Sequence, residues 1–154
     1  DIDRVAILTG TNGTNADCLP ACKLEYTTDG TIWQDVPNGT YAGGNALQMT
    51  DLGLKGVMGI RAYTTAAKQN WLAVREIQIN DEVLDPVQGP ARLTGTVFKS
   101  DNVRVAGGAL NNILDGDTGS YVHLAENPQA PSGDPGRDKV PAEAYIGIDF
   151  GAVK

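Results

Sequence analysis

Apolar residues along this chain recur mostly at every second position, in short stretches separated by glycine, asparagine, aspartate and proline. Arg4 to Leu8 (RVAIL) reads as a short apolar strand with no helix cap before it. Lys23 to Thr28 (KLEYTT) alternates with period two, Leu24 and Tyr26 on one face. Asp29-Gly30 turns the chain, and Thr31 to Trp33 returns as a partner strand. After a loop through Asn38 to Asn45 come Ala46 to Thr50 and Val57 to Thr65. In Trp71 to Ile79 (WLAVREIQI), Ala73, Arg75, Ile77 and Ile79 alternate against Leu72, Val74, Glu76 and Gln78. The two isoleucines mark the core face and leave Glu76 on the opposite side. A helix competes for this segment, but its β-branched residues and polar flanks favour a strand. Leu93 to Phe98 resumes as strand, and Ala144 to Phe150 places Ile146, Ile148 and Phe150 inward. About eight short strands with no convincing helix predict an all-β sandwich or barrel.

The remaining stretches read as connections. Thr9 to Cys22 is dense in turn residues, and Asn80 to Arg92, with two prolines, reads as a linker. Leu124 to Glu143 carries prolines at 128, 131, 135 and 141 and is expected to be irregular, a loop of a length that is either functional or disordered. Asn12-Gly13-Thr14 and Asn38-Gly39-Thr40 fit the N-glycosylation pattern.

Length and charge narrow the classes. With 154 residues the chain suits one domain with a single core, and 19 glycines with 8 prolines fit a turn-rich fold. The net charge of −7 disfavours nucleic acid and anionic lipid, and no apolar run approaches the ~20 residues of a membrane helix. The opening DIDRVAIL lacks a positive signal-peptide start, so the chain is expected to be a processed or excised piece. Cys18 and Cys22 stand either as a local disulfide, in an exported protein, or as two reduced thiols. His123 is the single histidine, no nucleophile motif is present and no carboxylate pair stands out, so a non-enzyme is expected.

Chemistry concentrates in Asn111 to Tyr121 (NNILDGDTGSY). Two carboxylates flank a glycine and two hydroxyls follow, a hard-oxygen set that suits calcium, although Asp-Gly-Asp also serves as a plain surface turn.

Four segments together resemble discoidin domains, the coagulation factor V/VIII type C family, across nearly the whole chain. They are Tyr26-Thr-Thr-Asp-Gly-Thr-Ile-Trp33, Gly59-Ile-Arg-Ala-Tyr63 with Trp71 to Ile79, Asn112-Ile-Leu-Asp-Gly-Asp117 with Ser120-Tyr121, and Tyr145 to Gly151. Their order differs from the family's: residues 1–80 resemble its C-terminal half and 92–154 its N-terminal half. Joining Lys154 to Asp1 restores a strand–turn–strand, so the resemblance implies one circularly permuted domain over 1–154, with 144–150 pairing against 3–8. A piece spanning two half-domains is the alternative. The resemblance further implies a jelly-roll β-sandwich and structural calcium held by Asp115, Asp117, Ser120 and Glu76. It also implies a carbohydrate-binding module, similar to those beside glycoside hydrolases, for galactose or N-acetylhexosamine-type glycans. Such a module would be secreted or at a cell surface, joined to a parent glycoside hydrolase or adhesin, with no nucleic-acid partner and no membrane insertion. The alternative is a structural or protein-interaction domain of such a parent. His123 falls where galactose-binding relatives carry histidine; the relatives' arginine near the end of RVAIL has no counterpart, Gly10 or Thr11 standing there. Trp33 and Trp71 are expected in the core, as their motif partners are. That leaves Tyr41 as an aromatic platform and Asn12, Asn15 and Asn127 as polar loop groups.

Overall fold

The computed structural model describes residues 1–10, 17–80, 95–126 and 139–151. Asn12, Asn15 and Asn127, and nearly all of the 80–92 linker, lie outside the described residues. Among the described residues, ten strands form two antiparallel five-stranded sheets, an all-β sandwich. The strands are β1 (Val5–Thr9), β2 (Cys22–Thr27), β3 (Gln34–Tyr41), β4 (Ala46–Met49), β5 (Gly59–Thr64), β6 (Leu72–Ile79), β7 (Thr96–Lys99), β8 (Val103–Gly108), β9 (Val122–Glu126) and β10 (Tyr145–Asp149). The first sheet runs β4-β1-β6-β9-β8 and the second β3-β2-β5-β10-β7. Among the described residues, no helix is long and apolar enough to cross a membrane.

The core is what alternation delivers: Val5 and Ile7, Leu24, Ile60, Ile77 and Ile79, Ile146 and Ile148 are all buried between the sheets. Phe150 is buried as expected, and Tyr26 packs against the core beside Leu24. Strict alternation fails in β6. Leu72 and Val74 join Ile77 and Ile79 in the core. The register against β1 passes from Leu8 opposite Glu76 to Thr9 opposite Val74, so Arg75 is an extra residue on β6. A bulge of this kind twists the strand and re-aims one side chain. Here the Arg75 Nε donates to the Thr118 carbonyl at 2.6 Å and ties β6 to the Asp-Gly-Asp loop.

Three expectations are corrected. The strand at 144–150 does not pair with 3–8. Both hydrogen-bonding edges of β10 are taken by β5 and β7, and those of β1 by β4 and β6, in opposite sheets. The start of the stretch 124–143 is strand: β9 pairs with both β6 and β8, although residues 127–138 lie outside the described set. β3 continues through Tyr41 where a loop was expected. It is an edge strand, which tolerates Pro37, and Asn38 at φ 56° breaks its regularity. Of the two readings of Cys18 and Cys22, the reduced one holds: both are free, buried thiols, and Cys18 Sγ donates to Asn45 Oδ1.

Candidate functional site: an aromatic cleft on the outer sheet face

The Asp-Gly-Asp segment follows a 3-10 turn, Leu110–Leu114, whose Ile113 is fully buried in the core. The loop closes on itself. Asp115 Oδ1 accepts the Asp117 amide and Asp117 Oδ1 the Gly119 amide, each at 2.8 Å. The Ser120 hydroxyl lies 2.8 Å from Asp115 Oδ2 and 3.0 Å from both the Asn112 and Asp117 carbonyls. One proton therefore faces three oxygen acceptors. Glu76 is fully buried on β6, the strand against which the 3-10 turn packs. Among the described residues, no three His, Cys, Asp or Glu side chains are grouped to hold a metal. What the turn offers a cation is a mixed set of carboxylate, hydroxyl and backbone oxygens, chemistry that fits calcium.

His123 lies on β9 inside a stack of rings. Trp71 covers one side at 4.8 Å, nearly parallel at 5°, and Tyr121 meets it at 4.6 Å. Gly107 stands opposite on β8, where a Cβ would come within 3.4 Å of the imidazole Nδ1. The Nε2 atom is shielded from solvent and has no hydrogen-bond partner. In this arrangement half-buried His123 makes ring contacts with Trp71 and Tyr121. Tyr41 is in the other sheet, at its β3 edge, with its hydroxyl donating to the Ala46 carbonyl at 3.0 Å. Burial pushes its phenol pKa up. The two residues expected to share a site are thus in opposite sheets. Trp33 and Trp71 are not core residues either; both are half-buried on outer surfaces.

Trp33 instead walls a cleft of about 240 Å³ on the outer face of the second sheet. Residues that alternation turns away from the core supply it: Arg61 of β5, Phe98 of β7, and Tyr145 and Asp149 of β10, with Thr27 of β2. The register sets Gly147 between Arg61 and Phe98, and Gly59 between Thr27 and Asp149. Gly59 lines the cleft, and both glycines let neighbouring groups approach the sheet closely. A Cβ at 147 would meet Ile60 O at 2.3 Å and Arg61 Cβ at 2.6 Å, and one at 59 would stand 3.2 Å from the Trp33 ring. Large side chains at the flanking positions close round the cleft. Phe98 lies 5.6 Å from Trp33 and 5.9 Å from Tyr145, ring centre to ring centre. The Arg61 guanidinium lies 4.2 Å from the Trp33 ring centre and 4.4 Å from that of Tyr145, within cation–π range of both.

Arg61 is fixed from the other side by Glu25, which is buried on the same sheet face. Its Nε and Nη2 reach Glu25 Oε2 at 2.7 and 2.6 Å. Lys23 extends the network, 2.9 Å from Glu25 Oε1 and 2.6 Å from Asp35. These two carboxylates raise the Lys23 pKa, Asp35 most. At the cleft's end the β2–β3 turn is held by Asp29, whose Oδ1 accepts the Thr31 and Ile32 amides at 2.8 and 2.7 Å. Those amide bonds lower the Asp29 pKa to about 2. The cleft therefore combines three aromatic rings, a fixed guanidinium and an exposed carboxylate on a rigid sheet.

Of these residues only Trp33 stood out in the sequence, and it was assigned to the core. Alternation does place Arg61, Tyr145, Gly147 and Asp149 outward. Their convergence depends on strand order, which local pattern does not carry. Compared with known proteins, the chain matches no family model, no curated protein and no solved structure.

Proposed function

We propose that this domain is a non-catalytic carbohydrate-binding module of a larger secreted glycan-active protein, with the Trp33 cleft as its sugar seat. One observation carries the reading: Trp33, Phe98 and Tyr145 wall a ring-sized gap that also holds Arg61 and Asp149. Sugars have apolar C–H faces that pack on aromatic rings and hydroxyls that pair with charged side chains, so such a seat supplies both needs. The discoidin resemblance points to the same class, with galactose or N-acetylhexosamine units as first candidates. A single seat of this size is expected to bind in the millimolar range, about −4 kcal/mol. In this proposal the Asp115–Ser120 turn is a structural calcium clasp: Asp115, Asp117 and Ser120 with nearby carbonyls would hold the ion, and Glu76 would add to the set.

A second reading, a protein-interaction domain of the same parent, rests on Ile32, which is 65% exposed beside Trp33 and extends an apolar surface. Retention on immobilised glycans separates the two. Loss of retention in Trp33→Ala but not in His123→Ala supports the sugar cleft. Loss only in a folded His123→Ala variant would move the seat to the first sheet, and no retention of any glycan by the native chain leaves the interaction domain.

A further inference from the structure

If the Trp33 cleft is a sugar seat, as proposed above, its charges bear on which sugars it takes. Two cations stand at or beside it, and both are already paired with carboxylates. Arg61 has both Nε and Nη2 on Glu25 Oε2 and is flanked by the Trp33 and Tyr145 rings. Lys23 is held between Glu25 and Asp35. Against these two positive groups stand four carboxylates: Glu25 and Asp35, Asp29 in the turn, and Asp149 at the mouth. Asp149 uses Oδ1 to accept the Gly151 amide at 2.8 Å, which leaves Oδ2 as an acceptor. Among the described residues, the charge lining the cleft that no ion pair offsets is the negative one of Asp149.

We infer that the cleft selects sugars that carry no negative charge. Their C–H face lies on Trp33 and Phe98, and a pair of hydroxyls donates to the Asp149 carboxylate. A uronate, sulfate or phosphate group meets only cations whose charge carboxylates already offset and is repelled by Asp149 at close range, where low-dielectric walls strengthen the effect. The overall charge of −7 acts in the same direction at longer range.

The test is affinity electrophoresis and calorimetry of the full chain against neutral polysaccharides (galactan, xylan, chito-oligosaccharides) and acidic ones (polygalacturonate, hyaluronan, heparin), at low and high salt. A neutral glycan should bind with little salt dependence, acidic ones at least about tenfold more weakly. Trp33→Ala should abolish binding. Asp149→Asn keeps the acceptor for Gly151 but removes the charge, and should narrow the gap between neutral and acidic ligands. An acidic glycan bound as tightly as the neutral ones and lost in Trp33→Ala would overturn the inference while leaving the sugar seat standing. An unchanged gap in Asp149→Asn would overturn it too. Absence of any Trp33-dependent glycan binding would remove the seat itself, and this inference with it.

Discussion

Arg61 offers the sharpest test of how the outer sheet face is held together. Its guanidinium and the Glu25 carboxylate are only 13% and 8% exposed, and they meet at 2.6 Å. Replacing Arg61 by methionine keeps most of the side-chain volume but strands a buried carboxylate. Breaking a buried pair in this way typically costs ~3–5 kcal/mol. Lys23, 2.9 Å from the other oxygen of Glu25, remains and moves the expectation toward the lower end. Loss of the contacts with Trp33 and Tyr145 adds about 0.5–1 kcal/mol each. The expected destabilisation is about 4–5 kcal/mol, a large part of the ~5–15 kcal/mol that holds a domain folded. Converting both partners, Glu25→Leu with Arg61→Met, removes the stranded charge and leaves Lys23 paired with Asp35. That double variant should return to within ~1–2 kcal/mol of the parent. Urea unfolding of the four proteins in the cycle measures this, provided the slope stays constant. A loss below ~1 kcal/mol in Arg61→Met, or a double variant as unstable as the sum of the singles, would refute a central role for the pair.

Three further outcomes follow from local chemistry. Burial pushes the Cys22 thiol up to about 12 and raises that of Cys18, so neither should react with alkylating reagents at neutral pH until the domain unfolds; rapid labelling of native protein would contradict the packing around them. The amides of Ile32 and Thr31 depress Asp29 to about 2 from 3.8, so its charge stabilises the turn above pH ~4 and that contribution is lost as pH falls through ~2. Melting temperatures of the native chain and Asp29→Asn should therefore differ most near pH 5 and converge toward pH 2; a constant difference would be against it. If the Asp115–Ser120 turn clasps calcium, adding the ion should raise the melting temperature progressively with concentration, and Asp115→Asn should flatten that response; no shift in protein shown to bind the ion would sink the clasp.

Much of the fold is legible in the sequence because a half-buried strand must alternate. Leu24, Ile77, Ile146 and Ile148 are all where period two puts them. Alternation failed where it is physically interrupted. Arg75 is an extra residue in β6, and only the pairing with Leu8 and Thr9 reveals it. β8 was missed because Val103–Gly108 ends in two glycines, which weaken any strand signal. Strand partners are a different kind of information. The ends of the chain look contiguous when joined, yet β1 and β10 lie in opposite sheets because each already has two neighbours.

Site residues were harder to read for a reason that the two outer faces make plain. Each face carries a group of aromatic rings beside a glycine on a neighbouring strand, and the two groups differ in what fills the gap. On the first sheet Gly107 makes room for the His123 ring itself, and Trp71 and Tyr121 close over it. The histidine that stands out in the sequence is held there by ring contacts. On the second sheet Gly59 lines a cleft with Trp33, Phe98, Tyr145 and Arg61 around it, while Gly147 lets Arg61 and the Ile60 carbonyl approach closely. A lone histidine is conspicuous in a sequence; a cleft assembled from side chains on several strands is visible only once their register is known. Of the two aromatic groups, the second is the one that leaves a cleft of about 240 Å³ between its rings.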